Sequence, residues 1–107
     1  MNQDKAKLVV LWTAAADSEG FRLDYEGKHM SIARRLPNVI ALSHGRIRFG
    51  EFVLCAELTF ASATELKSSL AGEVGLVLTA DADRLKETFG VTSSSFIVHL
   101  DSEEVVA

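Results

Sequence analysis

The chain has 107 residues, the usual size of one domain, and its hydrophobic fraction of 48% predicts a globular protein rather than a disordered or fibrous one. Its formal charge of −4 argues against nucleic-acid binding, which requires a basic surface to neutralise phosphates. Because Cys55 is the only cysteine, an intrachain disulfide and a cysteine-based zinc site are excluded.

The sequence has no apolar run near the ~20 residues that a membrane-spanning helix needs. Residues 1–5 have no signal-peptide character. We therefore expect a cytoplasmic protein with neither a membrane nor a nucleic acid as partner. A single domain is expected over residues 1–107, with an acidic, frayed tail at 101–107.

The first predicted elements are a strand and a helix. An apolar, β-rich run at Lys7–Trp12 predicts a strand covered on both faces. Asp17 is placed to cap a helix over Ser18–Leu36, which Pro37 ends because its ring forces the preceding residue to be extended. Asn38 can then adopt a left-handed turn. One stripe of this helix should pack on the sheet: Phe21, Tyr25, His29, Ile32, Ala33 and Leu36.

Alternation of apolar and polar residues predicts three further strands at Val39–Phe49, Phe52–Phe60 and Val91–Leu100. A turn at Gly50 joins the first two of them. We expect the mixed side chains of these strands to share one face of the sheet: Ile40, Leu42, His44, Val53, Cys55, Glu57, Thr59, Ser95, Ile97 and His99.

The second helix is predicted in two pieces. Ser62 and Glu65 have the spacing of a capping box, which starts a helix by satisfying its free amides. Gly72 and Gly75 interrupt the helical pattern, and Gly90 ends it. The pieces are expected at Ala63–Ala71 and Glu73–Phe89.

This order of elements predicts an α+β, ferredoxin-like βαββαβ fold, in which a four-stranded antiparallel sheet has two helices on one face. The other face is too apolar to remain in water. Burying ~500 Å² of apolar area there contributes on the order of 12 kcal/mol before association costs are subtracted. We therefore expect a homodimer that covers this face.

Several segments resemble the EthD family of small dimeric α+β barrel proteins, which is named for ethyl tert-butyl ether degradation. They are Lys7–Trp12, Ala33–Pro37, Phe49–Glu51 and Ala56–Phe60. The family's helix typically reads phenylalanine, two residues, histidine-tyrosine, three residues, histidine, any residue, proline-leucine. Phe21, Tyr25 and His29 keep this pattern.

The sequence departs from the family pattern at three positions. Asp24 stands where a histidine is usual, Ser31 where a proline is usual, and Asn38 where a glycine usually follows Pro37. The resemblance nevertheless implies a homodimer whose two sheets enclose a pocket for a small, mainly apolar molecule. The wider superfamily includes cofactor-free monooxygenases, lactone isomerases and haem-degrading proteins.

The resemblance thus implies a protein that binds a small hydrophobic compound, as an accessory to oxidative degradation of ethers or aromatic compounds. One alternative is a cofactor-independent monooxygenase or isomerase, which oxygen uptake would distinguish from a binding protein. Another is a structural or interaction protein without a ligand. Fold alone does not decide among these functions.

The candidate catalytic residues are Tyr25 and His29. A histidine four residues after a tyrosine lies on the same helix face, and such a pair can orient a substrate and transfer a proton. In the alternative interpretation both are amphipathic core residues whose polar ends bond to backbone or loop groups.

A candidate ligand pocket is predicted on the uncovered face, where a carboxylate could orient a histidine. It consists of His44, Glu57, Ser95 and His99. Surface or interface positions are the alternative for these residues. A three-histidine metal site would also need His29, and no two histidines have close ligand spacing, so neither a metal nor a cofactor is predicted.

Overall fold

The computed structural model describes residues 4–106 of the chain. Residues 1–3, which belong to the start judged to lack signal-peptide character, and residue 107 of the predicted tail lie outside this range. The elements, in chain order, are β1 (Ala6–Thr13), α1 (Ser18–Asp24), a π-helical segment (Tyr25–His29), α2 (Met30–Ala33), β2 (Val39–Arg46), β3 (Phe52–Phe60), α3 (Ala63–Ala71), α4 (Glu73–Phe89) and β4 (Ser93–His99).

The predicted helix boundaries follow from local backbone chemistry. Asp17 caps α1 by accepting a hydrogen bond from the backbone N–H of Gly20 at 3.0 Å. The Ser62 hydroxyl caps α3 by accepting from the N–H of Glu65 at 3.1 Å. Gly90 ends α4 with a φ of 69°, and Asn38 adopts the predicted left-handed conformation with a φ of 67°.

The first helical run differs from its prediction in two ways. It ends at Ala33 rather than Leu36, because the next residues form a tighter turn in which the Leu36 N–H donates to the Ala33 carbonyl at 3.2 Å. It also contains the unpredicted π-helical segment, in which the N–H of Met30 donates to the carbonyl of Tyr25. The run is therefore continuous but locally widened.

The sheet has the order β2-β3-β1-β4, and every neighbouring pair is antiparallel. This confirms the predicted ferredoxin-like fold. The helices cover one face of the sheet, here called the helix side, and the other is here called the open face. The helix side holds the core, which includes Ala6, Trp12, Phe21, Tyr25, Met30, Leu54, Ala56, Leu58, Phe60, Leu66 and Leu85.

The prediction of β2 is wrong at its end, which is Arg46 rather than Phe49, and for the face of two residues. A bulge between Val39 and Ala41 shifts the register, so that Leu42 pairs with Leu58 and His44 pairs with Ala56. Residues opposite each other in a sheet point to the same side, so Leu42 and His44 lie on the helix side rather than on the open face.

The predicted face of β4 is wrong as well, although a strand is confirmed over Ser93–His99, within the predicted Val91–Leu100. Ser95 pairs with Val10, Ile97 with Leu8 and His99 with Ala6, and all three partners point to the helix side. The open face of β4 instead carries Phe96 and Val98, which pair with Val9 and Lys7.

The open face observed in the structure remains partly apolar. Phe96 is 48% exposed there, and Val98 is 36% exposed. Ile40 lies at the bulge of β2 and is 55% exposed. An ion pair between Lys7 Nζ and Glu57 Oε1, 3.0 Å apart, lies among the apolar residues. Within the described range, no helix has the length and apolarity needed to cross a membrane.

Candidate functional site

Tyr25 and His29 lie at the two ends of the π-helical segment and point into the layer between helices and sheet. Both are buried, with 1% and 7% of their surfaces exposed. Their rings stack at a centroid distance of 5.6 Å and an angle of 22°. Local π-helical turns occur frequently at functional sites, because they displace side chains from ordinary α-helical positions.

Two further aromatic rings surround this pair. Trp12, on β1, meets the His29 ring edge-on at 5.7 Å and the Tyr25 ring at 6.0 Å. Phe21, on α1, lies 5.8 Å from the Trp12 ring and 5.9 Å from the Tyr25 ring. The four rings exclude water from the imidazole and the phenol, so polar interactions inside this cluster are stronger than at the surface.

The imidazole of His29 is oriented by Asp81, a buried residue of α4. Nδ1 of His29 lies 2.9 Å from Oδ2 of Asp81, and the carboxylate is 5% exposed. Burial opposes the ionisation of Asp81, but hydrogen bonds from Arg84 and His29 outweigh it and hold the carboxyl pKa below its usual value. An ionised Asp81 can only accept, so Nδ1 of His29 donates.

Burial determines the charge of His29 itself. It lowers the pKa of the imidazole below its ordinary value, although the hydrogen bond to Asp81 acts in the opposite direction. The ring is therefore neutral near pH 7, with its proton on Nδ1 and a lone pair on Nε2. A neutral imidazole held by a carboxylate is the arrangement required of a general base.

Arg84 holds Asp81 in place and joins it to a second carboxylate, that of Asp24. Arg84 donates from Nε to Oδ1 of Asp81 at 2.8 Å, and from Nη1 and Nη2 to the two oxygens of Asp24 at 2.9 and 2.6 Å. The hydrogen bonds from Arg84 lower the pKa of Asp24. Because Asp24 lies on α1, this network ties the first helical run to α4 beside His29.

The sequence interpretation missed Asp81 and Arg84. The sequence contains a signal for Asp81, because this residue lies three residues after Leu78 and four before Leu85, on the apolar stripe of α4. A carboxylate on such a stripe is rarely buried without a partner. The pairing of Arg84 with Asp24 has no comparable signal, because it joins two helices far apart in the chain.

A cavity of about 40 Å³ lies at the centre of this site. This is room for one or two waters or for the end of a ligand, far below the ~300–1,000 Å³ of sites that enclose whole organic molecules, and most of its lining is apolar. The Tyr25 hydroxyl is buried and has no hydrogen-bond partner within residues 4–106. Burial raises the pKa of this phenol, which therefore stays protonated and is available as a donor. The lining consists of Leu8, Val10, Trp12, Tyr25, His29, Met30, Ala33, Ala56, Leu58 and Leu78.

The structure separates the four residues of the predicted open-face pocket. His44 lies on edge strand β2, on the helix side, with its ring 6.0 Å from that of Tyr25. Ser95 and His99 lie on β4, the opposite edge strand. Only Glu57 lies on the open face. The four residues therefore do not share one face of the sheet, as the predicted pocket required. Of the four, only His44 lies near Tyr25.

The remaining candidates for reactive chemistry are isolated. No group of three histidine, cysteine or acidic side chains that could hold a metal occurs in the part of the chain that the structure describes. Cys55 is half-buried on β3, where burial raises the pKa of its thiol and keeps it protonated. The reactive groups are therefore concentrated around Tyr25 and His29.

The backbone resembles that of several solved proteins. An EthD family protein from Bacillus halodurans superposes with a TM-score of 0.79 at 20% identity, covering 94% of this chain and 99% of that one. SnoaB, a cofactor-independent oxygenase from Streptomyces nogalater, gives 0.69 at 13% identity, covering 94% and 96%. A dimeric protein of unknown function and ferredoxin-like fold from Bacteroides fragilis gives 0.66 at 8% identity, covering 94% and 100%.

These comparisons define the class of fold. No protein-family model matches the sequence, and no curated protein does so either. The similarity to an EthD family structure confirms, in the backbone, the resemblance inferred from the sequence. At such low identities a shared fold does not transfer an activity.

Proposed function

We propose that this is an EthD-like homodimeric protein that binds a small, mainly apolar molecule between the helices and the sheet, with Tyr25 and His29 contacting it. The observation that carries the proposal is the unpartnered Tyr25 hydroxyl beside the His29–Asp81 hydrogen bond in an apolar cavity. A buried donor without an acceptor costs about 1–3 kcal/mol, and a ligand oxygen would remove that cost.

The chemistry that these groups can perform is proton abstraction. Nε2 of His29 takes a proton from an acidic O–H or C–H group of the ligand, and Asp81 stabilises the resulting imidazolium through Nδ1. Tyr25 donates its hydrogen bond to the oxygen on which negative charge develops. A positioned base of this kind typically accelerates proton transfer about 10²–10⁴-fold.

The homodimer forms through the open face. Phe96, Val98 and Ile40 are exposed there in a single chain, and a second copy would bury them. The Lys7–Glu57 ion pair would be covered together with them. This leaves the helix side free for the ligand, so the two faces of the sheet have separate roles.

A cofactor-independent monooxygenase is the second candidate. The geometry in its favour is a water-excluded base next to a phenol donor, which can deprotonate a phenolic or enolic ligand and hold its anion. A structure of the same fold, SnoaB, is described as a cofactor-independent oxygenase. Oxygen consumption with electron-rich phenols distinguishes this activity from ligand binding alone.

The test is a screen of small phenols, ketones and lactones by NMR line broadening and oxygen uptake. The wild type is compared with His29→Ala, and with His99→Ala as a control on an exposed edge strand. We expect His29→Ala to lose turnover, or to weaken binding of ligands with an acidic proton, while His99→Ala does neither. Equal binding and turnover by wild type and His29→Ala would remove His29 from the site.

A further inference from the structure

A second, larger depression lies beside the cavity, at the end of the sheet where β1 leads into α1 and β2 turns into β3. This groove has a volume of about 420 Å³. That is within the ~300–1,000 Å³ typical of sites for small organic ligands. Its apolar lining is formed by Ala14, Ala15, Phe21, Ile47, Val53 and Leu54.

The charged residues of the groove are mainly basic. Arg22 and Arg46 line it, against one acidic residue, Glu19. Arg46 is exposed and forms no ion pair within the described 103-residue stretch from 4 to 106. Within residues 4–106 the one ion-pair partner of Arg22 is Glu26, at 3.9 Å and one helical turn away. A basic excess over apolar walls is unexpected in a chain whose formal charge is −4.

The groove adjoins the cavity across one aromatic ring. Phe21 lines the groove, and its ring lies 5.9 Å from that of Tyr25. Leu54 lines the groove and Ala56 lines the cavity, and the two are consecutive helix-side residues of β3. On β2, Arg46 pairs with Leu54, and His44 pairs with Ala56. The two spaces are therefore successive compartments along one side of the sheet.

We propose that the groove binds a compact organic carboxylate. Arg46, aided by Arg22, holds the carboxylate, and the apolar body packs on Phe21 and Leu54 with its far end directed towards Tyr25. Arginine suits this role because its guanidinium matches a carboxylate with two parallel hydrogen bonds. The substrates of the proposed function would therefore be carboxylates. That the far end of the ligand reacts near Tyr25 rests on the proposed function.

Isothermal titration with 1-naphthoate, and with the uncharged 1-naphthamide, tests the groove. We expect the wild type to prefer the carboxylate, and Arg46→Gln to reduce naphthoate affinity about tenfold while naphthamide affinity is unchanged. Arg35→Gln removes the same charge at an exposed position outside the groove and should change neither affinity. Arg46→Lys should restore only part of the lost affinity.

Three outcomes would overturn the proposal: no naphthoate binding to folded wild type at millimolar concentration, equal binding of both probes, or equal effects of Arg46→Gln and Arg35→Gln. The result with His29→Ala separates this proposal from the proposed function. Naphthoate binding retained in His29→Ala supports the groove whatever happens to turnover. If Arg46→Gln binds normally while His29→Ala loses turnover, the groove alone is refuted.

Discussion

The Tyr25 hydroxyl places the strongest restriction on the ligands that can bind in the cavity, because it requires a hydrogen-bond acceptor. Its neighbours are apolar or aromatic, it stays protonated, and the protein supplies no acceptor for it within the described residues. His29 is close by and complementary, since Asp81 fixes its proton on Nδ1 and leaves Nε2 free to accept. Together they suit a ligand that carries an oxygen and an acidic proton.

The substitution Tyr25→Phe is expected to separate stability from binding. Removing a buried hydroxyl without a partner should leave the free energy of unfolding unchanged or raise it by about 1 kcal/mol. The same change should weaken ligands that present an oxygen acceptor. Urea unfolding and ligand titration measure the two effects, and a loss of stability greater than about 1 kcal/mol would indicate that the hydroxyl has a structural partner.

The stability of the protein should depend on the protonation of His29. The pKa of His29 is below 6.5 in the folded protein and close to 6.5 in the unfolded chain. As the pH falls through 6.5, His29 therefore becomes protonated in the unfolded chain but stays neutral in the folded protein. Stability should therefore decline from pH 6.5 down to the folded pKa. Asp24 and Asp81 have pKa values that are lowered from 3.8, so the stability that they contribute is lost only as the pH falls through 3.8.

Thermal melts between pH 7.5 and 5 measure this effect, with His29→Gln as the comparison. We expect the wild-type melting temperature to fall over this range, and that of His29→Gln to fall less because the titrating group is absent. If the melting temperatures of the two proteins fell in parallel with pH, the pKa of His29 would not be lowered in the folded state.

At the scale of the elements, the close contact of α3 with α4 depends on Gly75. A Cβ at this position would overlap the carbonyl oxygen of Leu70, which is backbone and cannot move aside. Gly27, in the π-helical segment, has nothing within 4 Å of the equivalent position. The two glycines therefore form a matched pair of helical sites that differ in the space around them.

We expect Gly75→Ala to lower the free energy of unfolding by about 1–3 kcal/mol, the usual cost of overpacking. Gly27→Ala should be neutral or stabilising by up to about 1 kcal/mol, because alanine has the higher helix propensity. Chemical denaturation of both variants tests this. Similar losses in both would mean that the junction adapts without strain.

The elements also show where sequence reasoning succeeds. Strands, caps and helix breaks were predictable because their signals are local, as with Asp17, Ser62 and Gly90. The π-helical segment was not, because Tyr25 and His29 share a face in either helix type. The bulge of β2 and the orientation of β4 depend on pairing with distant strands, which alternation within one strand cannot fix.

At the scale of the molecule, the proposed function gives the two faces of one sheet different tasks. The helix side holds Tyr25, His29 and the adjoining groove, whereas the open face carries exposed apolar residues. The orientation of β4 is part of this division, because it places Phe96 and Val98 on the open face. A second copy of the chain is the partner that the proposal assigns to this face.

Pairing through the open face is measured most directly by sedimentation equilibrium at micromolar concentration. The wild type should sediment as two chains of 11.6 kDa. Phe96→Lys should shift it to one chain, while Leu76→Lys, at a 63% exposed position on α4, should leave the dimer intact. A well-folded wild type that sediments as a single 11.6 kDa chain would contradict the covered open face.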